Sequence, residues 1–180
     1  MKTEQITLGA GCFWCVETIF ARLKGVNKVI SGYADGDIED PTYEQVCTGT
    51  TNHAEVVQIS YDPHVISFEK LLTVFFAIHD PTTLNRQGGD IGTQYRSTVI
   101  FHTDEQRAAT INKIEALEQS GEFEQKIVTT VVPFSHFYSA ESYHQDYFTN
   151  NTDNQYCQLV VAKKVQKFLS NFSHLLKDEK

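Results

Sequence analysis

Cys12-Phe13-Trp14-Cys15 places two thiols at i and i+3. That spacing allows the sulfurs to bridge, because disulfide Cα–Cα separations run about 4.4–6.8 Å. The nucleophilic form of cysteine is the thiolate. A helix N-terminus favours it through unpaired N–H groups and the macrodipole, drawing the pKa from ~8.5 toward ~3.5–7.5. Cys12 stands where such a terminus is expected. A strand pattern, Glu4–Leu8, precedes it. Val16, Ile19, Phe20 and Leu23 follow at i, i+3, i+4 and i+7, one face of a helix. The expectation is an open, ionised Cys12 that attacks and a Cys15 that resolves the product. Two other readings stand beside it. The cysteines could be inert core residues. Or Cys12, Cys15, Cys47 and His53 could hold zinc, although Cys47-x5-His53 is not a tight second knuckle and Phe-Trp is bulky for a metal loop.

Length and composition narrow the classes. A chain of 180 residues with 41% hydrophobic and 12% aromatic residues is neither disordered nor of low complexity. It suits a single domain over 1–180 whose core needs no staple. The net charge of −8 argues against a phosphate-backbone binder and a polybasic membrane anchor. No apolar run reaches the ~18–20 residues of a membrane span, and MKTEQITLGAG lacks a signal-peptide core. Cytoplasmic residence is expected. Four cysteines are too few for a disulfide scaffold.

The elements that must position the thiols follow from periodicity. Gly25 closes the first helix. Val26–Tyr33 reads as a strand ended by Asp35-Gly36, and Ala54–Tyr61 alternates until Asp62-Pro63. Ser67 caps a helix carrying Phe68, Leu71, Leu72 and Phe75, which Asp80-Pro81 ends. Residues 81–96 have no period and contain Arg86, Asp90 and Tyr95, which marks a functional loop. Ser97–His102 is strand-like. Thr103 and Gln106 form a capping box for a helix that Gly121 ends, and Ile127–Val132 is a further strand. Phe134–Phe148 holds six aromatics in fifteen residues. A last helix carries Val161, Val165, Phe168, Leu169 and Phe172. The order points to an α+β domain, a mixed β-sheet with packed helices. Residues about 150–180 form a C-terminal segment and helix packed on or flanking it.

Four blocks of sequence carry a resemblance. Gly11-Cys12-Phe13-Trp14 is the first. Pro41-Thr42-Tyr43-Glu44-Gln45-Val46-Cys47-Thr48-Gly49 with His53-Ala54-Glu55-Val56 is the second. Asn85-Arg86-Gln87-Gly88, Asp90 and Gly92-Thr93-Gln94-Tyr95-Arg96-Ser97 make the third. Phe137-Tyr138, Ala140-Glu141, Tyr143-His144-Gln145 and Tyr147 make the fourth. In this order, over nearly the whole chain, they resemble the peptide methionine sulfoxide reductase A family. The chain departs from the family pattern at Cys15, Asp35 and Asn52, where glycine is usual, and at Ser139, where proline is.

The resemblance implies a ferredoxin-like α/β plait with extensions and an oxidoreductase acting on a sulfur group. It reduces the S epimer of methionine sulfoxide, in proteins and as the free amino acid, without a bound cofactor or metal. Cys12 would become a sulfenic acid, then a disulfide that thioredoxin or another external dithiol reduces. Glu55 would be the proton donor, kept neutral by burial. Tyr43 and Tyr95 would hydrogen-bond the sulfoxide oxygen, Asp90 would orient the site, and Phe13 and Trp14 would seat the methyl group. Cys15 is the first choice of resolving thiol and Cys157, on a flexible tail, the second. Cys47 is expected to lie buried under the site, with His53 and His144 structural. A dithiol-disulfide oxidoreductase of thioredoxin type and a non-catalytic binding module remain the competing classes. Activity on a methyl sulfoxide separates both from the reductase.

Overall fold

A computed structural model describes residues 2–178. Its strands are β1 (Glu4–Ala10), β2 (Val26–Ala34), β3 (Ala54–Tyr61), β4 (Arg86–Gln87), β5 (Asp90–Ile91), β6 (Ser97–Phe101), β7 (Thr130–Pro133) and β8 (Phe137–Ser139). Its α-helices are α1 (Phe13–Ala21), α2 (Tyr43–Cys47), α3 (Phe68–Ala77), α4 (Asp104–Ser120), α5 (Tyr147–Asn150) and α6 (Ala162–Phe172). Six strands form one sheet in the order β7-β6-β1-β3-β2-β8. Only the β6–β7 pair is parallel. With α1 between β1 and β2, and α3 between β3 and β6, the four inner strands carry the β-α-β-β-α-β connectivity of a ferredoxin-like plait. The outer strands and the remaining helices extend it, so the expected α+β mixed sheet is the one observed.

Local signals explain most boundaries. The Ser67 and Thr103 hydroxyls accept from the N–H groups of Lys70 and Gln106, both at 3.2 Å. The Thr103 box is not reciprocal, because the Gln106 carbonyl accepts from His102 N–H instead. The reciprocal box belongs to Thr42 and Gln45, which start the unforeseen helix α2. The first helix stops at Ala21 with Arg22 as cap, so Gly25 opens β2 rather than closing α1. The expected strand from Ile127 starts only at Thr130, because Val128 N–H is taken by Pro81 O. The loop 81–96 contains the β4–β5 hairpin and a 3-10 turn, Thr93–Tyr95. Each is too short to register as a period.

Alternation assigns the faces of the sheet. Ile6, Leu8 and Ala10 of β1, Val57, Ile59 and Tyr61 of β3, and Val99 of β6 join the large apolar cluster that also holds α1, α3 and the C-terminal segment. Ala54, Val56, Ala34 and Ile100 form a small cluster on the opposite face under Phe137. Glu55 shares the parity of Val57, so it faces the helices although it is an acid. Helix α1 is buried almost all round, because α5 and α6 cover the side that the sheet does not.

Gly32, opposite Ser139 in the β2–β8 ladder, has no room for a side chain. A Cβ there would lie 2.4 Å from the Phe137 ring and 2.5 Å from Tyr138 O. Gly32→Ala is expected to destabilise the fold by about 2 kcal/mol, within the range for overpacking. Urea unfolding checks this, and a change below about 0.5 kcal/mol would show that β8 moves away freely.

Candidate active site

Cys12 is the N-cap of α1, where β1 hands over to the helix through Gly11 at φ 88°. A Cβ at Gly11 would sit 2.7 Å from Gln87 Cγ, so the third sequence block packs directly under the first. Phe13 N–H, the first amide of the helix, does not face solvent. It donates to Glu55 Oε1 at 3.2 Å. Glu55 is 2% exposed, and burial beside Cys12 and Asp90 pushes its carboxyl well above the ordinary carboxylate range. The Phe13 amide pulls the other way and is outweighed.

The thiols depart from expectation. Cys12 is 6% exposed, not open. Its proton is held more tightly than in water, first because burial disfavours the thiolate and second because Cys15 lies against it. The contact between the two thiols works in opposite directions, raising Cys12 and lowering Cys15. The helix-terminus argument fails here for a local reason. The amide that would stabilise a Cys12 thiolate is committed to Glu55, and only the Trp14 N–H favours the charged sulfur. Cys47 is exposed rather than buried under the site, because it ends the short surface helix α2 beside the Tyr43 hydroxyl. Cys157 is fully buried in a π-helical turn, Cys157–Val161, not carried on a loose tail. Burial and the nearby Cys12 both raise its thiol. All four thiols are unbridged.

Tyr95 and Asp90 lie close enough to act on the Cys12 thiol, whereas Tyr43 lies beside Glu55, Cys47 and Tyr95. Tyr95 ends the 3-10 turn, and its hydroxyl is raised by burial and by Glu55, Asp90 and Cys12. Tyr43 starts α2 and is raised by burial, with Cys47 and Glu55 contributing. Asp90 accepts from the Tyr156 hydroxyl at 2.6 Å. The aromatic pair divides. Phe13 is sealed in the core against Tyr33 and His144, at centroid distances of 5.8 and 5.2 Å. Trp14 is half-exposed and stacks on Tyr147 at 3.7 Å.

His53 and His144 both make structural bonds. His53 Nε2 pairs with Ile38 O at 2.7 Å. Trp14 Nε1–H donates to His144 Nδ1 at 3.0 Å, so the His144 proton lies on Nε2, 3.8 Å from Glu141. Glu141 escaped sequence reasoning. It accepts from the Tyr33 and Tyr143 hydroxyls and from Tyr43 N–H, tying the fourth block to the second. Tyr156 escaped too, and its only signal was its place beside Cys157. Asp35 and Asn52, which replace the family's usual glycines, both have positive φ, 61° and 58°. Asp35 gains an ion pair with Arg96 at 2.9 Å. Among the described residues, no three His, Cys, Asp or Glu side chains converge as a metal site requires.

The chain is similar to proteins of one family. The family model for peptide methionine sulfoxide reductase matches residues 4–176. Peptide methionine sulfoxide reductase MsrA of a Nitratiruptor species is 54% identical over 174 residues, covering 97% of this chain and 99% of that protein. The crystal structure of reduced Mxr1 from Saccharomyces cerevisiae superposes with a TM-score of 0.79 at 38% identity, covering 87% of this chain and 90% of that one. Mxr1 in complex with Trx2 gives a TM-score of 0.56 at 29% identity, covering 81% and 85%.

The Tyr156–Asp90 bond joins the C-terminal segment to the third block, and a hydrogen bond to a charged group contributes about 1.5–3 kcal/mol. Tyr156→Phe is expected to speed amide hydrogen exchange across residues 154–161 by roughly tenfold or more, without changing exchange in β1 and β3. Unchanged exchange there would mean that apolar packing alone holds the segment.

Proposed function

The chain belongs to the peptide methionine sulfoxide reductase family and reduces methionine sulfoxide, and we propose the division of labour among its residues that follows. Cys12 is the nucleophile. Glu55 is the proton donor, Tyr43 and Tyr95 hydrogen-bond the sulfoxide oxygen, and Asp90 orients the site through Tyr156. The half-exposed Trp14 seats the methyl group, with Phe13 supporting it from the core. The observation that carries this reading is a buried carboxyl, its pKa pushed up by burial, held against the first amide of the helix that the thiol caps.

A sulfoxide oxygen is a poor leaving group unless it gains a proton as the S–O bond weakens. Glu55 donates that proton to the sulfoxide oxygen while the Cys12 sulfur bonds to the sulfoxide sulfur, and the Cys12 proton passes to the Glu55 carboxylate so formed. The S–S bond of this adduct then breaks as the protonated oxygen passes to Cys12, giving a sulfenic acid and the free thioether. Burial favours the protonated forms of both Glu55 and Cys12 at the start of this step. A resolving thiol then displaces water from the sulfenic acid and forms a disulfide. Cys15 is first choice, since it lies against Cys12 and its own thiol is lowered. Cys157 is second.

No prosthetic group enters this cycle. An external dithiol of thioredoxin type returns the enzyme to the dithiol state, a reading supported by the yeast Mxr1–Trx2 complex. The substrate is the S epimer, in oxidised proteins and as free methionine sulfoxide. Neither nucleic acid nor membrane takes part. Among the described residues no helix is long and apolar enough to cross a membrane. Unbridged cysteines fit a reducing compartment such as the cytoplasm. Residues 1–180 act as one catalytic domain, since a continuous apolar cluster runs from Ile6 to Phe168.

Two measurements test the assignments. Glu55→Gln should slow the single-turnover reduction of a methionine sulfoxide peptide by roughly 10²–10⁴-fold, the range for a lost general acid. It should also remove the decline in rate seen as pH rises through the Glu55 pKa. A loss under twofold contradicts the role. One equivalent of substrate added to the reduced protein should give a Cys12–Cys15 disulfide by peptide mass mapping. A Cys12–Cys157 disulfide in the wild type transfers the resolving role to Cys157.

A further inference from the structure

One buried acid has no part in this chemistry. Glu17 lies one turn after Trp14 on α1 and is 3% exposed, and among the described residues no salt bridge reaches it. Its two oxygens both accept from Asp146 N–H, at 3.0 and 3.1 Å. Burial pushes its pKa up to about 7. The groups facing it come from three directions. The Asp146 carboxylate opposes its charge, while the Tyr147 N–H favours it. The buried Ser31 hydroxyl on β2 lies close enough to favour it, although it makes no hydrogen bond. Arg22 shares a cavity of about 170 Å³ with Glu17 and Asp146, but its guanidinium is committed to Thr18.

What Glu17 holds is more informative than what holds it. Asp146 sits at φ 52°, between a 3-10 turn, Ser142–His144, and α5. Its neighbours on both sides meet Trp14. His144 accepts the indole N–H, and Tyr147 stacks on the ring with the planes 7° apart. Gln145 locks the same segment to Ser31, accepting its N–H and donating to its carbonyl.

We propose that Glu17 is a positioning residue for the sulfoxide seat, its buried carboxyl group fixing residues 144–147 and through them the indole of Trp14. This deepens the functional reading and rests on its assignment of Trp14. Neutral, Glu17 still accepts from Asp146 N–H, and burial favours this form. Ionised, it is a buried charge that opening to water relieves, so the segment loosens around Trp14. Substrate binding then weakens as pH rises through neutrality, while the chemical step is untouched.

Trp14 is the only tryptophan in the chain, so its fluorescence reports the seat directly. Acrylamide quenching of the wild type should rise in one transition with a midpoint near pH 7 as the pH is raised. Glu17→Gln, a neutral isostere, should lack that transition. At pH 8 it should show a KM for a methionine sulfoxide peptide roughly fivefold below that of the wild type with kcat within twofold, the signature of a change in ground-state binding. His144 titrates below its ordinary range, so any transition it causes lies at lower pH and survives in Glu17→Gln. Tyr147→Leu keeps Glu17 but removes the stack, and should lose the neutral transition too. This variant decides the matter where Glu17→Gln does not fold. A wild-type profile flat from pH 6 to 8.5, a neutral transition that persists in either variant, or an unchanged KM in Glu17→Gln overturns the proposal. Quenching needs no turnover, so an inactive protein that keeps the transition refutes the functional reading and leaves the anchor standing.

Discussion

The hydrogen bond from Phe13 N–H to Glu55 is the constraint on which the site depends. It crosses from the start of α1 to the middle of the sheet. It can form only because Glu55 lies on the helix-facing side of β3, in register with Tyr33. A carboxyl at that position is buried by the same apolar cluster that stabilises the fold. Burial without a cation keeps it neutral. Stability and chemistry pull against each other here. Ionising Glu55 would cost folding free energy, so its contribution to stability falls as pH rises through its elevated pKa. The packing around the acid thus favours its protonated form.

The same burial reshapes the thiol. An exposed cysteine at a helix start gains acidity from the helix, but Cys12 is dry, its nearest amide is occupied, and Cys15 lies against it. Burial therefore favours the protonated forms of Cys12 and Glu55. That suits a reaction in which oxygen departs from a substrate sulfur and must be protonated as it goes. The C-terminal segment completes the enclosure. Tyr156 bonds Asp90, Tyr147 covers Trp14, and Cys157 lies sealed beneath them.

Much of this is legible in the sequence, for identifiable reasons. Strong alternation in β3 and the i, i+3, i+4, i+7 pattern of α1 locate the sheet and the helix, and hence Cys12 at their junction. The four blocks locate Glu55, Tyr43, Tyr95 and Asp90. The elements that escape are those too short to show a period, such as α2 and the β4–β5 hairpin. The burial of Cys12 escapes because it arises from α5, α6 and the aromatic segment, which are distant in sequence. The exposure of Cys47 escapes because α2 is only five residues long and presents its end to solvent. Glu17 looks like a solvated helix residue, since nothing local reveals that α1 is covered on both sides.

Infrared difference spectroscopy tests the central claim most directly. The spectrum of the reduced wild type minus that of Glu55→Asn at pH 7.5 isolates this one carboxyl. The account predicts the carbonyl stretch of a protonated acid at a frequency typical of a dry, hydrogen-bonded group. A difference band from an ionised carboxylate alone would contradict it.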